Sequence, residues 1–170
     1  MGLFSGPELK SLRCLFIDQL QDIYDAEHRL TVALPKMADK AHNPMLAAAF
    51  RDHLQETERQ IERLERVFEI IGESSKRKSC EAMKGLIAEG SEVLSATGEP
   101  DVIDAALICA AQRVEHYEMA GYGCLRSLAS RLNLSEAVEL LQTTLDEEGT
   151  ADKKLTHIAE TAVNAEAARA

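Results

Sequence analysis

The stretch LKSLRCLFIDQLQDIYDAEHRLTVALPKM, residues 9–37, sets Leu9, Leu12, Phe16, Leu20, Ile23, Leu30, Leu34 and Met37 at alternating three- and four-residue steps. That spacing keeps one side chain per turn on a single face, so an amphipathic helix is expected over about 7–41. Glu27 stands in the middle of this apolar row. A carboxylate carried onto a buried helix face costs several kcal/mol to desolvate unless a cation meets it.

The same irregularity returns further along the chain. A second helix is expected over 44–71, opened by Asn43 as cap and Pro44 at its first turn, and closed by Gly72. Its inward row reads Leu46, Phe50, His53, Thr57, Gln60, Leu64, Val67 and Ile71, polar in the middle, with Glu56 at the edge. After the polar loop GESSKRKS, Ser79 can cap a short helix over 80–94. A third long helix over 101–132 carries Ala105, Ile108, Gln112, Glu115, Met119 and Tyr122 in register, with Glu118 one turn from Glu115. Asn133 is a natural stop and Ser135 a cap for a last helix over 135–165, whose row includes Leu141, Glu148, Asp152 and Leu155. Pro35 falls inside the first pattern and predicts a kink there. The connections run short, long, short, so two antiparallel hairpins joined by a crossover with an extra short helix are expected.

Composition bounds the alternatives. The 170 residues are 45% apolar and 28% charged, with 4% aromatic and no Trp, which fits one all-α domain over 1–170. The net charge of −10 opposes long-range attraction to nucleic acid or an anionic membrane. Lys76, Arg77 and Lys78 form a short basic cluster, expected to be a solvated loop. Cys14, Cys80, Cys109 and Cys124 lack zinc or CxxC spacing and are expected as free buried thiols. The opening MGLFSGPELK resembles neither an export signal nor a myristoylation motif, and no apolar run spans a bilayer, so a cytoplasmic protein is expected.

At about 1.5 Å per residue, Glu27 and Glu56 both lie roughly 20–23 Å from the first hairpin turn. The pairs Glu118 with Glu148 and Glu115 with Asp152 lie about 22–28 Å from the second. Seven candidate ligands therefore share a layer: Glu27, His53, Glu56, Glu115, Glu118, Glu148 and Asp152. Singly, each has a plainer reading. Glu27 could pair Arg29, Glu56 could solvate the charged run QETERQIERLER, Glu118 and Glu147 could face solvent, and His53 could be a hydrogen-bonded core histidine. Jointly, acids replacing apolar residues on three helices call for cations. Carboxylates with one imidazole suit Fe or Mn, and Zn less, since no thiolate is offered. Tyr24 and Tyr122 are expected as core residues whose hydroxyls reach a partner, or else as redox-active or hydrogen-bonding neighbours of that layer. Gly121, Gly123 and Gly149, inside helices, suggest close helix approach or distortion.

DIYDAEHRL around Glu27, HLQETERQIERLE around Glu56, SCEAMKGLIAEG in the crossover, VEHYEMAGYG around Glu115 and LDEEGTADKKL around Glu148 together resemble the YciE/YciF family of ferritin-like, stress-associated proteins. The resemblance implies a ferritin-like four-helix bundle with a fifth helix, similar to the rubrerythrin domain, and a homodimer. Ferritin-like sites take one Glu from each of two helices and Glu-x-x-His from each of the others. Glu27 and Glu115 match the single acids, Glu56 and Glu148 the leading ones. Arg59 and Ala151 stand where the histidines belong, while His53 precedes Glu56 and Asp152 follows Glu148. Glu118 resembles the additional glutamate of rubrerythrin-type sites. Two Fe ions bridged by Glu56 and Glu148 are expected, with Glu118 able to switch on and off the metal. The function is expected to be Fe(II) oxidation or peroxide chemistry, with a bundle merely stabilised by metal as the alternative. A cage-forming iron store or DNA protector is weaker, for want of a basic tail. The electron donor is not named by the sequence.

Overall fold

The computed structural model describes residues 9–170 as helices joined by loops, with no strand among the described residues. Helices α1 (Leu12–Lys40), α2 (Pro44–Ile71), α4 (Pro100–Arg131) and α5 (Ser135–Ile158) are long; α3 (Glu81–Ser95) lies in the crossover. A π-helical turn (Ala159–Val163) leads into the short α6 (Asn164–Ala167). α1 packs on α2 and α4 on α5, the two hairpins meet through α2 with α5 and α1 with α4, and α3 lies across α1 and α4. This is the expected all-α, ferritin-like arrangement. No helix among the described residues is long and apolar enough to cross a membrane.

The helix ends follow from hydrogen bonding. Ser11 caps α1 by accepting from the Cys14 amide, so α1 starts there instead of near residue 7; Gly6 and Pro7 lie outside the described residues. Leu9 and Leu12, expected on the buried row, are exposed because they precede the point where α1 meets its neighbours. α1 continues through Pro35 to Lys40. Asn43 accepts from the amides of Met45 and Leu46, and the fully buried Asp104 of α4 accepts from those of His42 and Asn43. The first hairpin turn is thus tied to the second hairpin. Gly72 closes α2 at φ 71°, and Asn133 takes φ 59° between α4 and α5. Leu134 occupies the cap of α5 with Ser135 as its first residue, so Ser135 does not cap. Helix α3 is capped by the Cys80 sulfur, which accepts from the Met83 amide, while the Ser79 hydroxyl turns to Glu81.

Two expectations are corrected by packing. The basic loop is not simply solvated: Arg77 donates to Asp25, Lys78 to Asp18, and the Lys78 amide to the Gln21 carbonyl. Buried Asp25 also accepts from Arg29 and from the Cys80 amide, so one carboxylate of α1 anchors the loop and the start of α3. Burial alone would raise the Asp25 carboxyl, but these donors hold it below the usual range. All four cysteines are free, yet only Cys80 is fully buried, and Cys109 and Cys124 are exposed on α4.

The core is continuous from Phe16, Leu20 and Ile23 to Leu64, Phe68, Leu107, Leu125, Leu141 and Leu155. At Gly121 of α4 an added Cβ would lie 2.7 Å from Ile23 Cδ1 of α1, so the glycine leaves room for that side chain. Gly123 faces open space and Gly149 makes only ordinary contact with Met119, so neither requires close approach.

Candidate metal centre

The apolar core is interrupted midway by a polar layer. From α2 come His53, Thr57 and Gln60, one per turn on the inward row and all buried. From α4 come Glu115 and Glu118, from α5 Glu148, and from α1 Glu27. Glu27, Glu118 and Glu148 are each 0% exposed and Glu115 is 2%, so bulk water cannot compensate their charge. His53, Glu115, Glu118 and Glu148 each bring one ligand atom within 4.8 Å of all the others. His53 Nε2 is 3.4 Å from Glu115 Oε1 and 3.8 Å from Glu148 Oε2, and its Nδ1 is 3.4 Å from Glu56 Oε2.

Hydrogen bonds hold the layer from outside. Gln60 Nε2 donates to Glu148 Oε1 in a short contact and to Glu147 Oε2 at 3.3 Å. Arg63 clamps Glu147 through both terminal nitrogens, at 2.5 and 2.6 Å. The fully buried Tyr122 hydroxyl donates to Glu27 Oε1. Facing inward, eight atoms have no hydrogen-bond partner: Glu27 Oε2, His53 Nε2, Thr57 Oγ1, Gln60 Oε1, Glu115 Oε2, both oxygens of Glu118 and Glu148 Oε2. Unpartnered polar atoms gathered in a core are what a ligand set needs when an ion is to replace the missing donors. Three carboxylates and an imidazole suit a hard or borderline dication, so the residues fit the metal expected from the sequence.

The electrostatics of the layer carry the same message. Burial pushes Glu27 and Glu148 up to about 7, with the Tyr122 hydrogen bond and the charge of His53 respectively working against it. Burial, reinforced by the other acids, drives Glu118 well above the carboxylate range, and Glu115 rises for the same reason although His53 opposes it. Burial would lower His53, but Glu115, the contact with Glu56, Glu148 and Glu27 outweigh it and lift the ring to about 10. Tyr122 rises through burial and its acidic neighbours.

Five of the seven expected residues meet in or beside this layer: His53, Glu115, Glu118 and Glu148 in the tight group, with Glu27 buried next to it. Glu56 sits at the rim with a third of its side chain exposed, touching His53 from the far side of the ring. Asp152 is likewise outside the tight group, accepting from Gln112 at 3.0 Å and facing His116 at 3.4 Å. Sequence reasoning placed Gln60 on the inward row without giving it a part in the site. The signal was there, a third polar residue one turn beyond His53 and Thr57. Tyr122 answers to the neighbouring role, whereas Tyr24 is a core residue that donates to Glu65 and packs against His28 and Phe68.

A ferritin-like bundle with a buried histidine and glutamate cluster between its hairpins defines the class of protein. The chain belongs to the family described as Domain of unknown function (DUF892), which matches residues 11–168. It is 48% identical over 162 residues to Protein YciF of Escherichia coli strain K12, covering 94% of this chain and 96% of that one. The crystal structure of the E. coli stress protein YciF superimposes with a TM-score of 0.88 over 91% of this chain and 98% of the other. YcfI of Rhodopseudomonas palustris is 40% identical and superimposes with a TM-score of 0.86, covering 90% of this chain and 98% of that one. A protein of Xanthomonas campestris pv. campestris, 22% identical, shares the fold with a TM-score of 0.71 over 93% and 97%.

Proposed function

We propose that this chain is a dimetal carboxylate protein of the stress response, holding two iron-like ions and supporting Fe(II) oxidation or peroxide reduction. The observation that carries it is the set of eight inward-facing buried atoms without partners, contributed by all four long helices. Charge balance favours two ions over one: Glu27, Glu115, Glu118 and Glu148 carry four negative charges when ionised, and a ligating His53 is neutral. Two dications neutralise them. Glu115, Glu118 and Glu148 would hold the ions with His53, and Glu27 Oε2 would complete the set; Mn is the alternative metal. Bound iron would supply one-electron chemistry and a place for oxygen or peroxide. The chain's own part is to fix Glu148 through Gln60, hold Glu27 through Tyr122 and orient His53 through Glu56. A stress role is supported by likeness to YciF. Four free cysteines suit a reducing compartment such as the cytoplasm.

A second reading rests on the same buried layer, whose unpartnered atoms an ion selective for the folded state would satisfy. There the ions stabilise the bundle without turnover. Metal analysis of protein purified without added metal, then oxygen and peroxide consumption with Fe(II), separates the two. Two equivalents of iron with turnover support the first, metal without turnover the second, and no metal removes both.

A further inference from the structure

Beyond the ligand layer, a cleft opens between α2 and α5. His53, Glu56, Ala151 and Lys154 line it, and Glu115 forms part of its wall. His53 and Glu115 are more than nine-tenths buried, and each has an unpartnered atom, Nε2 and Oε2. The cleft therefore connects solvent to the very side chains that wait for a partner. Its outer part carries Glu56, one-third exposed, and Lys154, paired at 2.8 Å with Asp52. Ala151, one turn beyond Glu148, lines the opening with only a methyl group.

We propose that this cleft is the route by which divalent cations reach the layer, and that Glu56 is the loading carboxylate at its mouth and not a resident ligand. Three features carry this. Glu56 stands outside the group whose ligand atoms lie within 4.8 Å of one another. It touches His53 through Nδ1, leaving Nε2 directed at Glu115 and Glu148, so it can receive an ion from water and still keep the ring aimed inward. At the mouth Lys154 is bonded to Asp52 at 2.8 Å, so Glu56, although Arg59 and Lys154 act on it from nearby, is the lining carboxylate left to meet an arriving cation.

The inference rests on the metal-binding reading above, and loading kinetics test it without any turnover. Metal-free, full-length protein is mixed with Co(II) in a stopped-flow instrument, and the final stoichiometry is measured by elemental analysis. Glu56→Gln keeps an acceptor for His53 but loses the charge. It should load about three- to tenfold more slowly at low ionic strength, converge toward the parent in high salt, and bind the parental number of ions. Lys154→Gln, which unmasks Asp52, should load faster. Ala151→Leu, which narrows the cleft, should load more slowly at every salt concentration. Loss of a metal equivalent in Glu56→Gln would make Glu56 a ligand and overturn the proposal. Parental rates in both Glu56→Gln and Ala151→Leu would overturn the route while leaving the metal centre standing. No Co(II) uptake by the parent at all overturns route and centre together.

Discussion

Glu118 offers the sharpest test of the buried layer, because it is fully buried and neither of its oxygens has a partner. Its carboxyl is raised well above the ordinary value of 4.5 by burial and by the neighbouring Glu27, Glu148 and Glu115, so the folded, metal-free chain resists ionising it at pH 7. The unfolded chain ionises it freely at that pH. Keeping this carboxyl buried therefore costs stability at pH 7 and nothing well below pH 4.5. Glu118→Gln keeps the shape and a neutral polar group but has no proton to hold. In chelator at pH 7 the variant should be more stable than the parent by on the order of 1–3 kcal/mol, the scale of relieving an unpaired buried acid, which for a chain of this size is roughly 2–12 °C in Tm. The gain should vanish near pH 4. With metal the order inverts, because an ion at a thousandfold its Kd adds about 4 kcal/mol to the parent and much less to a chain short of one ligand. Urea denaturation at both pH values, with chelator and with saturating Mn(II), reads all four combinations. If the metal-free variant is no more stable than the parent at pH 7, the carboxyl is not raised as argued. If Mn(II) stabilises both chains equally, Glu118 is not a ligand.

Metal-free protein should lose stability as pH rises. Folded Glu27 and Glu148 retain protons up to about 7 that the unfolded chain has released above 4.5, and His53, lifted from 6.5 to about 10, continues the loss across that higher window. Metal-loaded protein should show the reverse below pH 7, as acid returns protons to the ligands and expels the ions; denaturation at pH 5, 7 and 9 checks both slopes. Asp25→Ala should cost about 2–3 kcal/mol by orphaning the Cys80 amide and two arginines, while Arg77→Ala, nearly half exposed, should cost less than about 1 kcal/mol and leave metal content unchanged. Gly123→Ala should raise stability by about 1 kcal/mol, and Gly121→Ala should forfeit that gain because its Cβ meets Ile23; thermal melts compare them. Sedimentation at micromolar concentration should give a dimer, and a monomer alone would remove that part of the family expectation.

The fold was legible because its signals are local and repeated. The three- and four-residue steps of α1, the Asn43-Pro44 start and the Gly72 stop each depend on neighbours in sequence, and each appears where those neighbours place it. The misplaced ends have a common cause in tertiary partners. The Cys80 sulfur caps α3 in place of Ser79 because Asp25, far away in sequence, seizes the Cys80 amide and fixes the chain there. Arg77 and Lys78 looked solvated because a run of like charges usually is. The acids that fasten them, Asp25 and Asp18, lie on α1 and cannot be paired with the loop until its path over α1 is known.

At the centre, the sequence could say which acids interrupt apolar rows, and Glu27, Glu115 and Glu148 follow directly from that rule. It could not say how far each side chain stands from the bundle axis. Glu56 and Glu118 show the difference. Both flank an inward residue by three positions, Glu56 beside His53 and Glu118 beside Glu115, and a count of residues along the helix treats them alike. Packing separates them, because α2 turns His53 inward and leaves Glu56 on the α5 side, where Ala151 lines the cleft, whereas Glu118 is sealed on every side. A helical step of three residues displaces a side chain by about 60° around the axis, enough to move it from core to rim according to what the neighbouring helix carries. The histidine that a ferritin-like pattern expects at Ala151 is therefore more than a missing ligand. With alanine there, the wall beside His53 carries only a methyl group, and the acid at position 56 is one-third exposed while still touching the ring.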